Sequence, residues 1–373
     1  MPTPWQRDLA KDGPRFERWL RAKLEGVADV RMSPLVQPQS SGFSNETLLF
    51  DLDLTQDGRR RQESLVVRIQ PTGYQVFPEY DLSLQFRTMQ LLAATDVPVP
   101  PVRWLETEDT EIFGAPFYVM GQVKGRVPSD QPPYHAGGWL HEVSPKEREA
   151  IWLGGFEAMA RVHRLDVDAT GFGFLRRPEL GATGLDQELA FYDRYLEWAG
   201  QGRPQPVIEA AREWLLKHKP ANEPEGVSWG DARIGNIIYD GARVAAVLDW
   251  EMVNVGSPEK DVAWAIFLDR HHSEGIETPR LAGFPSYPDT VAYYQQQSGH
   301  QVRHLDYYQV YAGYRFGIIM LRIAQQLVHY GMMSADQGRA FELNNTVTRL
   351  TAKILDLPPP GETAAAGDFG GSS

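Results

Sequence analysis

The spacing of apolar residues changes once along this chain, and that change limits what the chain can fold into. Up to about residue 120 the pattern suits a sheet. Leu48-Leu49-Phe50-Asp51-Leu52-Asp53-Leu54 reads as a partly alternating strand, Asp57-Gly58 marks a hairpin turn, and Ser64–Ile69 returns as the partner strand. Asp81–Ala94 has Leu84, Met89, Leu91 and Leu92 at helical spacing and stops before the proline-rich Val97–Pro101, since proline cannot continue a helix. Val102–Glu106 and Pro116–Met120 read as two more strands. A helix over Pro14–Gly26, with Phe16, Leu20 and Leu24 on one face, precedes the sheet. Beyond it the period is helical over Glu147–Leu165, Asp186–Ala199, Val207–His218, Pro258–Phe267, Pro288–Ser298, Leu305–Tyr330 and Ala335–Leu355. Tyr307, Tyr308, Tyr311 and Tyr314 recur there at spacings that suit a core. One short β segment interrupts the helices: Asn236–Tyr239 and Val244–Leu248 around Asp240-Gly241. The expected class is α+β in two domains, with a border near residue 120, a second domain over 121–357 and a disordered tail over 358–373.

Charge and residue usage exclude several functions. Lys and Arg number 37 against 49 Asp and Glu, a net charge of −12. Such a chain gains nothing from counterion release on a phosphate backbone, so a nucleic-acid partner is not expected. The one basic run, Arg59-Arg60-Arg61, sits beside a turn and reads as a solvated hairpin tip. There is no cysteine, hence no disulfide, zinc–thiolate site or cysteine nucleophile. The N-terminal residues lack an apolar signal core, and no apolar run nears the roughly 18 residues a membrane span needs. A soluble cytoplasmic protein without a membrane partner is expected, and the Asn-x-Thr triplets at Asn45 and Asn344 then have no glycosylation role.

The chemistry lies in Val227-Ser-Trp-Gly-Asp-Ala-Arg-Ile-Gly-Asn-Ile-Ile-Tyr239, followed by Val247-Leu-Asp-Trp-Glu251. Asn236 follows Asp231 by five residues and Asp249 by eighteen. The hairpin between them can bring Asn236 and Asp249 side by side at its mouth. Hard oxygen donors of this kind suit Mg²⁺, which takes a few carboxylate or amide oxygens and completes its shell with water and phosphates. Asp231 is then left to face a substrate hydroxyl. Positioning, charge neutralisation and a proton acceptor are the needs of phosphoryl transfer.

This segment resembles the catalytic and metal-binding loops of the aminoglycoside phosphotransferase-like small-molecule kinases, and the similarity extends over about residues 34–355. The resemblance implies a bilobal protein-kinase-like fold, with an N-terminal nucleotide-binding lobe (1–120) and a helical catalytic lobe. It implies transfer of the ATP γ-phosphate to a hydroxyl of a small molecule, with Asp231 as base and Asn236 and Asp249 on Mg²⁺. Ser40–Glu46 lies where the family keeps its phosphate-covering loop, so Ser41, Gly42, Ser44 and Asn45 are expected at the nucleotide. Phe117–Val123 resembles the hinge, with Met120, Gly121 and Val123 at the adenine. No lysine lies between Lys23 and Lys124, so Arg68 is expected to take the place of the family's phosphate-binding lysine.

The sequence departs from the family pattern at three points. Trp229 stands where the catalytic loop commonly has histidine. Gln85 aligns with the glutamate that normally pairs the strand-three cation, and Glu79 or Asp81 are substitutes. Arg233 takes the place of a phosphate-contacting lysine and is expected at the γ-phosphate. His163 is read as a packed histidine, and Asp261 as an acidic residue opening a helix and anchoring the catalytic loop. The inserts Gly125–Val143 and Asp269–Pro288 are expected to shape the acceptor site. Aminoglycoside-like and hydroxyacyl-type acceptors both remain open, as does a catalytically silent nucleotide-binding module. A protein kinase is disfavoured, because helix-like sequence begins within about ten residues of Asp249.

Overall fold

In the computed structural model, residues 7–24, 26–38, 45–56 and 58–360 are described. The chain divides into two compact units, one of residues 1–95 with 99–124 and the other of 96–98 with 125–373.

The first unit is a five-stranded antiparallel sheet. Its strands are β1 (Ala28–Met32), β2 (Glu46–Gln56), β3 (Arg59–Ile69), β4 (Val102–Glu106) and β5 (Phe117–Gly121), in the order β1-β2-β3-β5-β4. Helix α2 (Leu82–Leu92) is inserted between β3 and β4, and the Asp81 side chain caps it by accepting from the Leu84 amide. β2 and β3 pair from Gln56–Arg59 at the turn to Glu46–Ile69 at the far end. That register puts Leu48, Phe50, Leu52 and Leu54 on the buried face with Leu65, Val67 and Ile69.

Helix α1 spans Leu9–Lys23, several residues earlier than the expected Pro14–Gly26. Asp8 caps it and Pro14 lies inside it. An interior proline removes one helical hydrogen bond. Apolar burial offsets that loss: Phe16, Trp19 and Leu20 pack among Phe50, Phe113 and Phe117. Strand β1 had no sequence signal because it is an edge strand with exposed or half-buried residues, so no alternation marks it.

The second unit is mainly helical: α3 (Pro145–His163), α4 (Gly184–Gly200), α5 (Pro206–Lys217), α6 (Glu259–His271), α7 (Tyr287–Ser298), α8 (Leu305–His329), α9 (Ala335–Leu343) and α10 (Thr346–Ile354). Helix α8 is its axis, with α4, α5, α6, α9 and α10 packed on it. Tyr307, Tyr308, Tyr311 and Tyr314 are all buried, as their spacing suggests. The single helix expected over Ala335–Leu355 is two helices. Asn344 leaves the helical conformation and ends the first, and Asn345 caps the second, accepting from the Val347 and Thr348 amides. Two short β pairs interrupt the helices. β6 (Gly226–Ser228) pairs with β9 (Asn254–Gly256), and β7 (Ile237–Asp240) forms a hairpin with β8 (Arg243–Val247). No described helix is long and apolar enough to cross a membrane.

Candidate active site

The β6–β9 pair closes a loop whose two ends are held together, Ser228 lying opposite Asn254. Where the loop leaves β6, the backbone is set by one buried carboxylate. Asp261, in the first turn of α6, accepts from the Ser228 hydroxyl (2.8 Å), the Trp229 amide (2.6 Å) and the Gly230 amide (3.0 Å). His163 of α3 donates to it from Nε2 (2.9 Å), and the Tyr294 hydroxyl lies 2.6 Å from His163 Nδ1. Burial alone would raise the Asp261 pKa, but His163, Lys260 and these donors outweigh it and hold the carboxyl below its ordinary range. Trp229 occupies the usual histidine position as a wedge: its indole donates to the Leu248 carbonyl (2.8 Å) and its ring tilts against Trp250.

Gly230 has φ +90°, and a Cβ there would lie 2.0 Å from the Met252 carbonyl oxygen. Only glycine fits this corner. The next residue is Asp231, which is turned by three donors. Asn236 Nδ2 reaches Oδ2 (2.5 Å) and also the Asp231 carbonyl (3.1 Å). Arg233 Nε reaches Oδ2 (3.3 Å), and Trp264 Nε1 on α6 reaches Oδ1 (2.7 Å).

Asn236 immediately precedes β7. Its carbonyl accepts from the Leu248 amide (2.8 Å), continuing the β7–β8 register by one pair. Asp249 therefore follows directly after the residue opposite Asn236. Its backbone is left-handed, φ +59°, a conformation aspartate tolerates better than most side chains. The three sequence-selected residues are thus linked: Asp231 to Asn236 by side chains, and Asn236 to the chain entering Asp249 by a backbone bond.

This donor set fits a magnesium ion. The Asn236 amide nitrogen is held by Asp231, which turns the amide oxygen the opposite way. An amide oxygen and a carboxylate are hard ligands of the type Mg²⁺ accepts, and too few to form an all-protein cage. Among the described residues no group of three or more His, Asp or Glu side chains is placed to hold a metal ion, here or elsewhere.

Arg233 is less isolated than its sequence position suggests. Its NH1 donates to both oxygens of Asp130, at 2.7 and 2.9 Å. Burial disfavours its charge, but Asp130, Asp231 and Asp249 outweigh that and hold its pKa above the ordinary arginine value. Asp130 comes from the Gly125–Val143 insert, which is pinned at several points. Arg126 pairs with Tyr239 on β7, and Tyr134 and His135 each reach Asp269 Oδ1 at 2.8 Å.

The expected nucleotide residues lie in the first unit. Ser41, Gly42 and Ser44 fall outside the described residues. Asn45 is buried just before β2. Arg68 on β3 donates to Thr47 Oγ1 (2.9 Å) across the β2–β3 pair. Gln85 does not reach Arg68; its Oε1 accepts from the Tyr118 hydroxyl (3.3 Å), because α2 presents it to β5. Met120 and Gly121 end β5. The Gly121 amide donates to the Pro101 carbonyl and the Gln122 amide to Ser64, so Val123 follows two residues whose N–H groups are already bonded.

Three further residues meet this site without standing out individually in the sequence: Asp130, Trp264 and Arg315. Asp130 sits in a loop about a hundred residues before its partner. Trp264 lies one helical turn after Asp261, so an i, i+3 argument from that residue could have found it. Arg315 is wholly buried on α8, donates to the Gly230 carbonyl (3.0 Å), and lies over the Trp264 ring at 4.6 Å.

The fold and these loops define a class of phosphoryl-transfer proteins. A family model described as the phosphotransferase enzyme family (APH) matches residues 36–294, and the chain belongs to that family. A solved structure from Ralstonia eutropha JMP134, assigned provisionally as an aminoglycoside phosphotransferase, is 26% identical, with a TM-score of 0.65 over 92% of this chain and 96% of that one. A thermostable mutant of aminoglycoside phosphotransferase APH(4)-Ia, solved with AMP-PNP and hygromycin B, shares the fold at 16% identity, with a TM-score of 0.54 over 91% of this chain and 98% of that one. The α+β protein-kinase-like architecture of the family is thus the fold of this chain. Among curated proteins, acyl-CoA dehydrogenase family member 11 of Pongo abelii is 27% identical over 297 residues. That match takes in 76% of this chain but only 35% of the relative, so the chain spans about a third of that protein's length.

Proposed function

We propose that the protein transfers the γ-phosphoryl group of ATP, with Mg²⁺, to a hydroxyl of a small molecule. The observation that carries this reading is the joining of Asp231, Asn236 and Asp249 through the Asp231–Asn236 side-chain bond and the Asn236–Leu248 backbone bond.

In this reading Asp231 takes the acceptor's proton as the oxygen–phosphorus bond forms and the bond to the ADP leaving oxygen breaks. Asn236 and Asp249 would hold magnesium, which when bound neutralises phosphate charge. Arg233 would face the γ-phosphate, its guanidinium held in place by Asp130. In the first unit Arg68 and Asn45 would meet the phosphates, and Ser41, Gly42 and Ser44 are proposed to join them. Met120, the Gly121 carbonyl and the Val123 amide would meet the base.

The acceptor class rests on two resemblances. The Ralstonia structure carries an aminoglycoside phosphotransferase name. The curated relative carries an acyl-CoA dehydrogenase name, which supports a hydroxyacyl-type acceptor equally well. A coupled ADP-release screen over hydroxylated metabolites, hydroxyacyl-CoAs and aminoglycosides decides among them. Turnover is expected to require a divalent ion and to fall by about 10²–10⁴-fold in Asp231→Asn with nucleotide binding retained. Turnover undiminished in excess chelator would refute the metal assignment.

A catalytically silent nucleotide-binding module is the competing reading. It draws support from Gln85, which bonds Tyr118 instead of Arg68. Nucleotide binding without turnover in both the wild type and Asp231→Asn would establish it.

A further inference from the structure

We propose that Trp264 is the residue that positions the Asp231 carboxylate and determines which of its oxygens receives the acceptor's proton. This rests on the phosphotransfer reading and extends it to a residue outside the catalytic and metal-binding motifs.

A carboxylate oxygen has two in-plane lone pairs. On Asp231, Oδ2 is occupied by two donors, Asn236 Nδ2 and Arg233 Nε. Oδ1 has one donor, the Trp264 indole N–H at 2.7 Å. One lone pair is left, on Oδ1, and the hydroxyl proton moves there as the acceptor oxygen bonds to phosphorus and the electron pair of the broken bond leaves with ADP. An indole suits this task. It donates but never accepts or titrates, so it orients the carboxylate without competing for the proton.

The ring itself is held. Trp264 is 2% exposed, Phe316 packs against it, and the Arg315 guanidinium lies over its face at 4.6 Å. The same Arg315 donates to the carbonyl of Gly230, the residue before Asp231. One turn earlier on α6, Asp261 holds the amides of Trp229 and Gly230. Helix α6 therefore positions both the backbone leading into Asp231 and its side chain, and Arg315 ties the two together. Small misplacements of a reacting group have large kinetic consequences.

Trp264→Phe keeps an aromatic ring under Arg315 and removes the N–H, at the cost of a small cavity where the indole's second ring packed. The expected result is a fall in kcat of about tenfold. KM for both substrates should stay within about twofold and the melting temperature within a few degrees. An unchanged kcat, or losses in kcat, KM and melting temperature together, would overturn the assignment. A second readout needs no turnover and no substitution of Trp264. The chain has ten tryptophans, so at most ten indole signals appear in a ¹H–¹⁵N spectrum. One downfield signal should move upfield in Asp231→Ala, and a spectrum in which none moves refutes the hydrogen bond. A wild-type chain inert toward every acceptor overturns phosphotransfer and this role with it. An active wild type that loses turnover in Asp231→Ala but not in Trp264→Phe overturns this role alone.

Discussion

At the residue scale, Asp261 shows how a buried charge is kept. It has no exposure, yet its two oxygens take four donors from two elements and the loop, including a histidine. Hydrogen bonds to a charged group contribute about 1.5–3 kcal/mol each when lost singly. Asp261→Asn is therefore expected to lower stability by about 3 kcal/mol near neutral pH, as read by chemical denaturation. The sign with pH follows from its lowered pKa. The carboxylate's contribution is present above the unfolded value of 3.8 and is lost as pH falls through the lower native value. The gap between wild type and Asp261→Asn should accordingly shrink under acid conditions below pH 3.8.

At the element scale, helix α6 does the most. Its first turn carries Asp261, its second Trp264, and its last Asp269 with His271. Asp269 is buried and accepts from Tyr134, His135, Arg280 and Tyr287, which fastens the Gly125–Val143 insert to the helix. Beside it, burial pushes the pKa of His271 and of His272 down to about 3; each ring's charging is further opposed by its neighbours, His272 beside His271 and the Arg233 cation near both. A helix C-terminus favours a cation, but desolvation is the larger effect here. Both imidazoles stay neutral in the native state while the unfolded chain takes up protons below pH 6.5. The contribution of these two rings should therefore be full above 6.5 and decline as pH falls from 6.5 toward about 3. Denaturation midpoints at pH 7, 6 and 5 should decline less steeply in His272→Phe, and an unaltered slope would show that these rings do not govern it.

At the scale of the whole molecule, the expected readout is linkage. A ligand that binds only the folded chain stabilises it by about 2.7 kcal/mol at a hundred times its dissociation constant. ATP analogue with Mg²⁺ is expected to raise the melting temperature, ATP analogue with chelator to raise it less, and Asp249→Ala to abolish the difference. An equal rise with and without the metal would count against Asp249 as its ligand.

Much of this was legible along the chain because it depends on neighbours in sequence. Alternation over residues 48–54 and the Asp240-Gly241 turn mark strands and hairpins, since side-chain period and turn geometry are local. Asp231, Asn236 and Asp249 were visible for the same reason: a two-residue turn forces β7 against β8, and the register carries Asn236 to the residue next to Asp249. Edge strand β1, the displaced start of α1 and the break at Asn345 were not visible, because pairing, aromatic packing and capping overrode local propensity there. Only the folded chain could bring Asp130 to Arg233, or Arg315 and Trp264 to the loop around Asp231. Those partners stand 33 to 103 residues apart. A charge or indole distant in sequence leaves no local period; burial brings it to its partner, and an unpaired charge could not have stayed buried.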